Sequence, residues 1–447
     1  MRKWITLPLL LLAVVAFAAT PKPPRIDPQT GLPEEMVPER VIQKQPGEPS
    51  QEYLEYLARQ AEGPWAETDA RWDDDVRLTN NSVQDYLYAF GRHTVAVDPQ
   101  GRVHVVWYSY RSPGSYSPQI YYKRYYPGSG WTSDTCISAD VASNGYCNYP
   151  AISVDSSGNV HAVWAVYRST PSPYGYYIGY KMCTPTGSGN GGWQTTTTRI
   201  TEDTLLWIKY YPSIEASPNG RIHVVYYNYY STFGYAIGYK EKIDTTWQAR
   251  VWVDSGSTSY YRWYPQVAAD RNNNIHVTWY GYSGGTYYQV GYRGRFGSTW
   301  TPVQPDISGG SYYQYTPSIA VNPQTNHVHI VWYGYTPNYY TRIIHKERLG
   351  TGSSDTFQLV GDTVSESGST YYQSFPCITF TQDGRGHVVW YGYSSGSPSY
   401  YQIRYNDRTP AGAWGTPENL TNYTDYRYYP SINNGGNSSN PNDVHVV

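Results

Sequence analysis

A histidine-centred stretch recurs along the chain and constrains the fold more than any other feature. Its first copy runs from Val95 to Tyr108 and reads as a strand, a tight turn and a second strand. The histidine of that second strand recurs at His104, His161, His223, His276, His329, His387 and His445. The successive spacings are 57, 62, 53, 53, 58 and 58 residues. Seven copies of one structural unit therefore fill residues 68–447.

Each copy contains four strand-like runs. In the fourth copy the runs are 265–269, 275–280, 287–293 and a last one that begins at Trp300. These runs are rich in β-branched and aromatic residues, and Gly, Asn, Ser and Pro bound them. None has an apolar stripe at helical spacing, so the pattern indicates an all-β chain.

The turn between the first two runs is specified by its own residues. Asp98 can cap the turn, Pro99 fixes φ at the second position, and Gly101 accepts a positive φ at the fourth. The same turn chemistry returns at 155–158 and 217–220. Each copy is therefore predicted to begin with a β-hairpin.

Repeated four-stranded units of this length predict a seven-bladed β-propeller made of four-stranded antiparallel blades. A single small sheet cannot bury both of its faces, so neighbouring blades must stack around an axis and the ring must close. The blades are predicted to start near residues 93, 150, 212, 265, 317, 376 and 430. A linear solenoid is the alternative.

The two ends of the chain predict one shared blade. Residues 71–79 match the fourth run of the sixth copy at 414–421, although no first three runs precede them. The chain stops at His445-Val446-Val447, inside the second run of the seventh copy. The last blade is thus expected to be split between the termini and incomplete, as in a fragment of a longer protein.

The first 67 residues differ in kind from the repeats. Residues 1–19 have a positive start, an apolar run and a small-x-small site at Ala16-Phe17-Ala18, which is typical of a signal peptide. Residues 20–67 are proline-rich and predict a linker or pro-segment. Because no second apolar run follows, we expect a secreted or cell-surface protein without a membrane span, an uncleaved anchor being the alternative.

The net charge and the cysteine content limit the classes of ligand and partner that the chain is expected to bind. A net charge of −2 gives no electrostatic case for nucleic acid or an anionic membrane. No Cys/His spacing resembles a zinc site, so no metal and no cofactor are predicted. The chain is expected to be a monomer. In an oxidising compartment, Cys136 and Cys147 are expected to close a loop as a disulfide.

Tyrosine is the unusual residue, with 52 copies against 7 of phenylalanine. In a propeller the four-to-one and two-to-three connections emerge on one face, and nearly all the tyrosine clusters fall in those connections. Rigid amphipathic rings offer contact area at low entropic cost, so a glycan is the preferred ligand and a cell-surface protein the alternative. The candidate ligand-binding tyrosines are Tyr261, Tyr313, Tyr372 and Tyr426. The opposing interpretation is that the tyrosines only pack between blades.

Symmetry separates architecture from function. Residues that every blade repeats, such as the histidines and the tryptophans Trp107, Trp164, Trp279, Trp332 and Trp390, are assigned to packing and inter-blade hydrogen bonds. Three residues before the proline that opens each first run, the copies carry Phe90, Cys147, Lys209, Arg262, Gln314, Gln373 and Arg427. This ring is expected to border the channel mouth, where Lys209, Arg262 and Arg427 could bind a sugar carboxylate or sulfate. Solvated surface charges are the alternative.

The Asp-x-x-Gly-x-x-His-Val-Val-Trp repeat resembles the propellers of the sialidase-like superfamily, with their bacterial neuraminidase repeats, and exported propeller lectins. The resemblance covers residues 71–447 and implies the fold. The superfamily's Asp-box, Ser-x-Asp-x-Gly-x-Thr-Trp, is not matched, because Gly101 follows Asp98 by three residues and Trp107 follows it by nine. The arginine triad and the tyrosine nucleophile of sialidases have no counterpart here, so no catalytic residue is carried over.

The sequence leaves three functions open. The first is an exported propeller that binds carbohydrate or a surface partner without catalysis. The second is a sialidase-like glycoside hydrolase, for which the carboxylates near the tyrosine-rich face are Glu202, Asp203, Asp254, Asp362 and Glu366. The third is a structural or adhesin module of a longer surface protein.

Overall fold

The computed structural model describes residues 72–81, 83–88, 90–91, 93–111, 117–141, 145–168, 175–185, 189–201, 208–230, 234–255, 260–282, 284–366, 371–393, 400–434 and 442–447. The predicted signal peptide and proline-rich segment, together with Glu202 and Asp203, lie outside these residues. Within them, no helix is long and apolar enough to cross a bilayer.

The described residues form an all-β propeller, as predicted. The first two blades contain β1 (Asp85–Tyr86), β2 (Val95–Val97), β3 (Val103–Ser109), β4 (Gln119–Tyr126), β5 (Gly130–Trp131) and β6 (Thr135–Cys136), then β7 (Gly145–Val154), β8 (Val160–Arg168), β9 (Gly175–Cys183) and β10 (Thr198–Arg199). A 3-10 turn, Ala139–Val141, connects them. The third and fourth contain β11 (Ile208–Ala216), β12 (Ile222–Tyr230), β13 (Gly234–Ile243), β14 (Thr246–Trp247) and β15 (Val251–Ser255), then β16 (Arg262–Ala269), β17 (Ile275–Gly281), β18 (Gln289–Phe296) and β19 (Thr299–Trp300).

Two further blades and a smaller sheet follow. Their strands are β20 (Gln314–Val321), β21 (Val328–Tyr335), β22 (Thr341–Glu347) and β23 (Asp362–Thr363), then β24 (Gln373–Phe380), β25 (Gly386–Gly392), β26 (Gln402–Arg408) and β27 (Glu418–Asn419), then β28 (Ile432–Asn434) and β29 (Val444–Val446). All pairings are antiparallel, and six sheets have at least four strands. The described part of the seventh copy forms only the two-stranded sheet β28–β29.

The two-stranded sheet lies between the sixth and first blades and joins them. On one side, Ile432 and Val444 pack with Cys377 and Val389 of the sixth blade. On the other, the backbone amide of Thr94 donates to Ser431 Oγ at 3.0 Å. The described residues therefore meet around an axis, which excludes the linear solenoid.

The N-terminal segment, residues 72–80, packs along the two-stranded sheet without forming a strand. The Trp72 ring contacts the Tyr405 ring edge-on at a centroid distance of 4.9 Å and lies in the apolar cluster of Val444 and Val446. Leu78 packs in the next cluster, with Val447 and Val95 of the first blade. Residues 72–80 therefore contact both the two-stranded sheet and the first blade.

Apolar side chains between adjacent blades form the core. In the cluster between the fourth and fifth blades, Val290 and Tyr292 pack against Ile330 and Trp332, all at most 1 % exposed. A similar cluster joins the third and fourth blades through Val225, Val277 and Trp279. Because each sheet covers its neighbour, the stability of one blade depends on the next.

The repeated histidine fixes the first turn of its own blade. His104 Nδ1 lies 2.7 Å from the Tyr122 hydroxyl, and Nε2 lies 3.0 Å from Asp98 Oδ2. Neutral imidazole satisfies both contacts by accepting from the tyrosine and donating to the aspartate. The predicted architectural role is thus seen, but these hydrogen bonds stay within a blade, since both partners belong to the histidine's own sheet.

Candidate functional site

The tyrosine-rich face is defined by strand register. At the far end of each hairpin from the Asp-x-x-Gly turn, the start of the first strand pairs with the end of the second, as Arg262 does with Gly281. Loops from the fourth strand of the preceding blade and to the third strand of the same blade meet there. The candidate tyrosines Tyr261, Tyr313 and Tyr372 immediately precede or begin those first strands.

A strained residue turns inward in each first strand. In the second to sixth blades, the residue before the repeated proline is aromatic or threonine and has a positive φ, and the strand ladder has a bulge there. The chain before β28 has the same conformation. With φ values of 44–54°, these residues are Tyr149, Tyr211, Tyr264, Thr316, Phe375 and Tyr429. A positive φ is costly for such residues, and residues before proline normally avoid it. The conformation directs these side chains toward the axis.

Phe90 fills the space among those inward side chains. Its ring lies 4.8 Å from that of Tyr264, 5.2 Å from Tyr429 and 5.5 Å from Phe375, measured between centroids. The backbone follows it across the axis, because a Cβ on Gly91 would stand 2.7 Å from the carbonyl oxygen of Pro317 in the fifth blade. We call Phe90 and Gly91 the plug, and it closes the centre of the tyrosine-rich face.

The plug corrects the predicted alignment of the first blade. Phe90 was matched with Cys147, Lys209 and Arg262, but the residue at their ladder position is Asp85, which pairs with Ser109. The first copy has extra residues between this position and its turn. Those residues leave the ladder and supply the plug.

The ring position is buried rather than placed at a channel mouth. Gln314 Oε1 accepts a hydrogen bond from Trp332 Nε1 at 2.7 Å, and Gln373 accepts one from Trp390. Lys209 is fully buried and donates to the carbonyl of Tyr176 at 3.4 Å. These side chains connect the first strand to the rest of the fold.

The predicted anion-binding role is wrong for Lys209 and Arg262. Arg262 is 3 % exposed, forms an ion pair with Asp254 and donates to the carbonyl of Tyr282 at 2.6 Å. Arg427 alone of the three predicted cations is partly exposed, and its Nη1 lies 2.6 Å from Asp425 Oδ1. Arg262 and Arg427 are thus each paired with a carboxylate, and Lys209 contacts a backbone carbonyl.

The tyrosines separate into buried and exposed sets. Around the plug, buried rings touch in a belt that includes Tyr108, Tyr149, Tyr211, Tyr264, Tyr280, Tyr315, Tyr333 and Tyr391. Outside the belt lie the exposed tyrosines Tyr110, Tyr339, Tyr372, Tyr426 and Tyr428, which are 37–45 % exposed and which we call the tyrosine rim. The belt tyrosines pack between blades, and the rim tyrosines are open to solvent.

The rim is densest where the sixth blade meets the two-stranded sheet. The rings of Tyr426 and Tyr428 are nearly parallel, at 14° and 5.8 Å between centroids, and Tyr400 meets Tyr426 edge-on at 5.1 Å. Tyr372 lies beside Tyr340 at 5.7 Å. Tyr261 and Tyr313 are less exposed and stack on Trp263 and Tyr315. The structure thus groups Tyr372 and Tyr426 with the exposed rings, and Tyr261 and Tyr313 with the packed ones.

The described carboxylates of this face are held by structural partners. Asp254 pairs with Arg262, Glu366 with Arg404, and His345 Nδ1 lies 3.1 Å from Asp362 Oδ2. The hydrogen bond and charge of His345 hold the pKa of Asp362 below its ordinary value. Each of these three described carboxylates therefore contacts a basic side chain of the fold.

The predicted disulfide between Cys136 and Cys147 is absent, and both residues are free thiols. Cys147 is fully buried in β7, where its thiol contacts the side chains of Ser138 and Trp164. Burial raises the pKa of both thiols, which disfavours the thiolate that disulfide formation requires.

We therefore expect all four cysteines of the protein to react as free thiols. Ellman's reagent in urea should count four thiols per chain, with or without prior reduction. A count of two before reduction and four afterwards would contradict the structure.

Sequence reasoning missed two features of the axis, the plug and the polar side chains beyond it. His93 occupies the position at which the other copies have proline, and it lies beside Glu215 of the third blade and Cys377 of the sixth. Cys377 Sγ is 3.9 Å from His93 Nδ1. The absent proline in the first copy was the sequence signal for both features.

Comparison with known proteins supports the fold. The chain matches no protein-family model and no curated protein. Among solved structures, an ulvan lyase from a new family of polysaccharide lyases is similar over 78 % of this chain and 87 % of that one, with 12 % identity and a TM-score of 0.53. A Penicillium chrysogenum α-L-arabinanase is 16 % identical over 67 % of this chain and 92 % of that one, with a TM-score of 0.47. A leech intramolecular trans-sialidase is 10 % identical over 71 % and 68 %, with a TM-score of 0.45. The match to the ulvan lyase supports the fold of the described residues.

Proposed function

We propose that this protein is a carbohydrate-binding propeller whose tyrosine rim binds a neutral glycan without catalysis. The observation that carries the proposal is the cluster of exposed, mutually supported rings at Tyr372, Tyr426 and Tyr428. Sugar rings stack their C–H faces on such aromatic surfaces, and phenol hydroxyls bond to sugar hydroxyls. The fold that the chain shares with the compared structures does not identify a ligand, so the proposal depends on the tyrosine rim.

The support behind the rim favours binding. Buried rings such as Tyr391 hold the exposed ones, since Tyr391 meets Tyr428 edge-on at 5.1 Å. A ring held in place loses little entropy when a ligand binds, and this preorganisation favours affinity. Exposed apolar rings grouped on one face of a protein also commonly mark a binding surface.

A neutral glycan fits the charges of this face. The Arg427 guanidinium lies over the Tyr423 ring at 4.1 Å and is paired with Asp425. Arg111 is likewise paired, with Asp85 and Asp134. Because these cations already have carboxylate partners, acidic sugars gain no strong electrostatic attraction here.

Replacing a rim tyrosine is expected to weaken glycan binding. The full chain should give hits on a glycan array, and calorimetry with a hit should show roughly tenfold weaker binding for Tyr426→Ala and for Tyr372→Ala, because each change removes a contact face. Tyr125→Ala is the matched control, since Tyr125 lies at the turn end of β4 and pairs with Val103. A silent array, or equal losses in all three variants, would contradict the proposal.

The ring is proposed to have seven blades. Residues 72–80 lie along β28–β29 through Trp72 and Leu78, as the outer part of a blade shared by both ends of the chain would. Deleting residues 72–80 should therefore lower the thermal midpoint by exposing those apolar side chains.

Export is also part of the proposal. The small-x-small site at residues 16–18 and the apolar run before it support secretion or display at the cell surface. A glycan or cell-surface protein as partner and a monomeric state accord with that location. N-terminal sequencing of the protein recovered from the medium tests the cleavage site.

A further inference from the structure

A polar cavity of about 320 Å³ lies on the axis at the end opposite the tyrosine rim. Its lining comes from the first, second, third and sixth blades and from β28, and includes the Asp98 and Asp155 turns. The plug packs the axis on the rim side, and the cavity wall includes His93 just beyond it. Pockets of roughly 300–1,000 Å³ are typical for small molecules, so this one suits a small ligand.

The cavity contains residues that break the repeat. The residue that pairs with each repeated histidine is Ala96, Ser153, Glu215, Ala268, Ala320, Thr379 or Asn433. Only the third blade places a carboxylate there, and only the first has His93 in place of proline. The architecture of a blade requires neither residue, since the other copies fold without them.

Two of the three lining carboxylates are already satisfied. Asp98 Oδ1 accepts from the amides of Gln100 and Arg102, and Oδ2 accepts from the Arg102 and His104 side chains. Asp155 is saturated in the same way by its own turn and His161. These aspartates build the turns and have no free lone pair for a ligand.

Glu215 differs from those aspartates. It lines the cavity, and it is not bound into the turn of its own blade as Asp98 and Asp155 are. Burial raises its pKa to about 7, opposed by the positive charge of His93. Its side chain is half-buried at the cavity wall, so the carboxylate can accept hydrogen bonds from a ligand there.

We propose that this cavity is a second ligand site that binds one small neutral polyhydroxylated molecule, of the size of a single sugar residue. Glu215 accepts hydrogen bonds from two ligand hydroxyls, and the side chains of His93, Asn433 and Gln382 supply further donors and acceptors. Glu215 and His93 balance each other's charge, which favours a neutral ligand over an ion. The described lining includes no Phe, Tyr or Trp ring, so recognition here rests on hydrogen bonds and differs from stacking at the rim.

The test measures binding of D-glucose, D-galactose, D-xylose and myo-inositol to the full chain by saturation-transfer NMR and calorimetry. At least one is expected to bind with 1:1 stoichiometry. Glu215→Ala should abolish that binding, and Glu215→Gln should weaken it at least tenfold, because an amide replaces one acceptor by a donor. Thr379→Ser is the matched control, since it lies at the equivalent position of the sixth blade but outside the lining.

Failure at this site is distinguishable from failure at the rim. Tyr426→Ala should leave the cavity ligand bound, and Glu215→Ala should leave glycan-array binding unchanged. Thermal midpoints of the Glu215 variants within a few degrees of wild type would show that the fold is retained. If none of the four probes binds, or if Glu215→Ala binds as wild type does, the proposal is overturned.

Discussion

Replacing Phe90 with alanine is expected to lower the free energy of unfolding by about 3–5 kcal/mol, as large-to-small changes of buried phenylalanine do. Phe90 is 4 % exposed and contacts inward rings from several blades. Those rings are held by strained backbone and cannot collapse into the space left behind. Urea unfolding, followed by tryptophan fluorescence, measures the loss.

Two variants define the meaning of that result. Phe90→Leu retains most of the buried volume and should lose much less stability. Tyr372→Ala removes a ring of similar size that is 42 % exposed, and surface changes of this kind usually stay within about 0.5 kcal/mol. If Phe90→Ala were no more harmful than Tyr372→Ala, the axis would not be closed by this side chain.

Those features that recur from copy to copy could be predicted from the sequence. The Asp98 turn, the strand on either side of it and the buried Trp332 recur at fixed spacing, and each adopts its predicted role. Repetition allows this, because a local pattern that most copies satisfy must suit a common blade. The location of the tyrosine rim on one face could also be predicted, since the connectivity of a propeller places these loops on the same side.

The plug could not be predicted by counting back from the histidine. Asp85 precedes His104 by 19 residues, whereas Arg262 precedes His276 by 14, so the first copy is five residues longer in this interval. Counting from the proline position hid the difference, since His93 stands where proline is expected. Only the ladder register shows that Phe90 has left the strand.

The ion pairs of the charged residues and the state of the cysteines could not be predicted from their spacing in the sequence. Arg262 looks like a free cation in sequence, but Asp254 from the preceding outer strand reaches it. Cys136 and Cys147 are close in sequence, yet Cys147 lies inside β7 and its thiol contacts Trp164. Each outcome depends on contacts between strands that no local pattern encodes.

The protein is expected to lose stability steeply as the pH falls from about 6.5 to 4. Burial lowers the pKa of the repeated histidines, to about 4 for His387 and about 3 for His223. The unfolded chain takes up these protons near pH 6.5 and the folded chain does not, so the stabilisation is complete above pH 6.5 and is lost on acidification. For His387 the change is on the order of 3 kcal/mol, at about 1.4 kcal/mol per pKa unit.

Asp155 and Glu215 also make the stability depend on pH, but Asp155 does so at lower pH and Glu215 in the opposite direction. Hydrogen bonds from His161 and Asn159 lower the pKa of Asp155 to about 2, so its contribution is lost only below about pH 4. The raised pKa of Glu215 acts in the opposite direction, because its contribution is lost as the pH rises toward 7. One glutamate opposes several histidines, so the net slope between pH 6.5 and 4 follows the histidines.

His387→Gln isolates the contribution of a single histidine to that slope. Glutamine can bond to the Tyr405 hydroxyl, which lies 2.7 Å from His387 Nδ1, but it cannot take up the proton. The variant should therefore flatten the dependence of the unfolding free energy on pH by up to about 1.4 kcal/mol per unit near pH 5. Phe90→Leu is the control, since it lowers stability at every pH and leaves the slope unchanged. An identical slope in wild type and His387→Gln, measured by urea unfolding from pH 7 to 4.5, would show that this buried ring does not couple folding to acid.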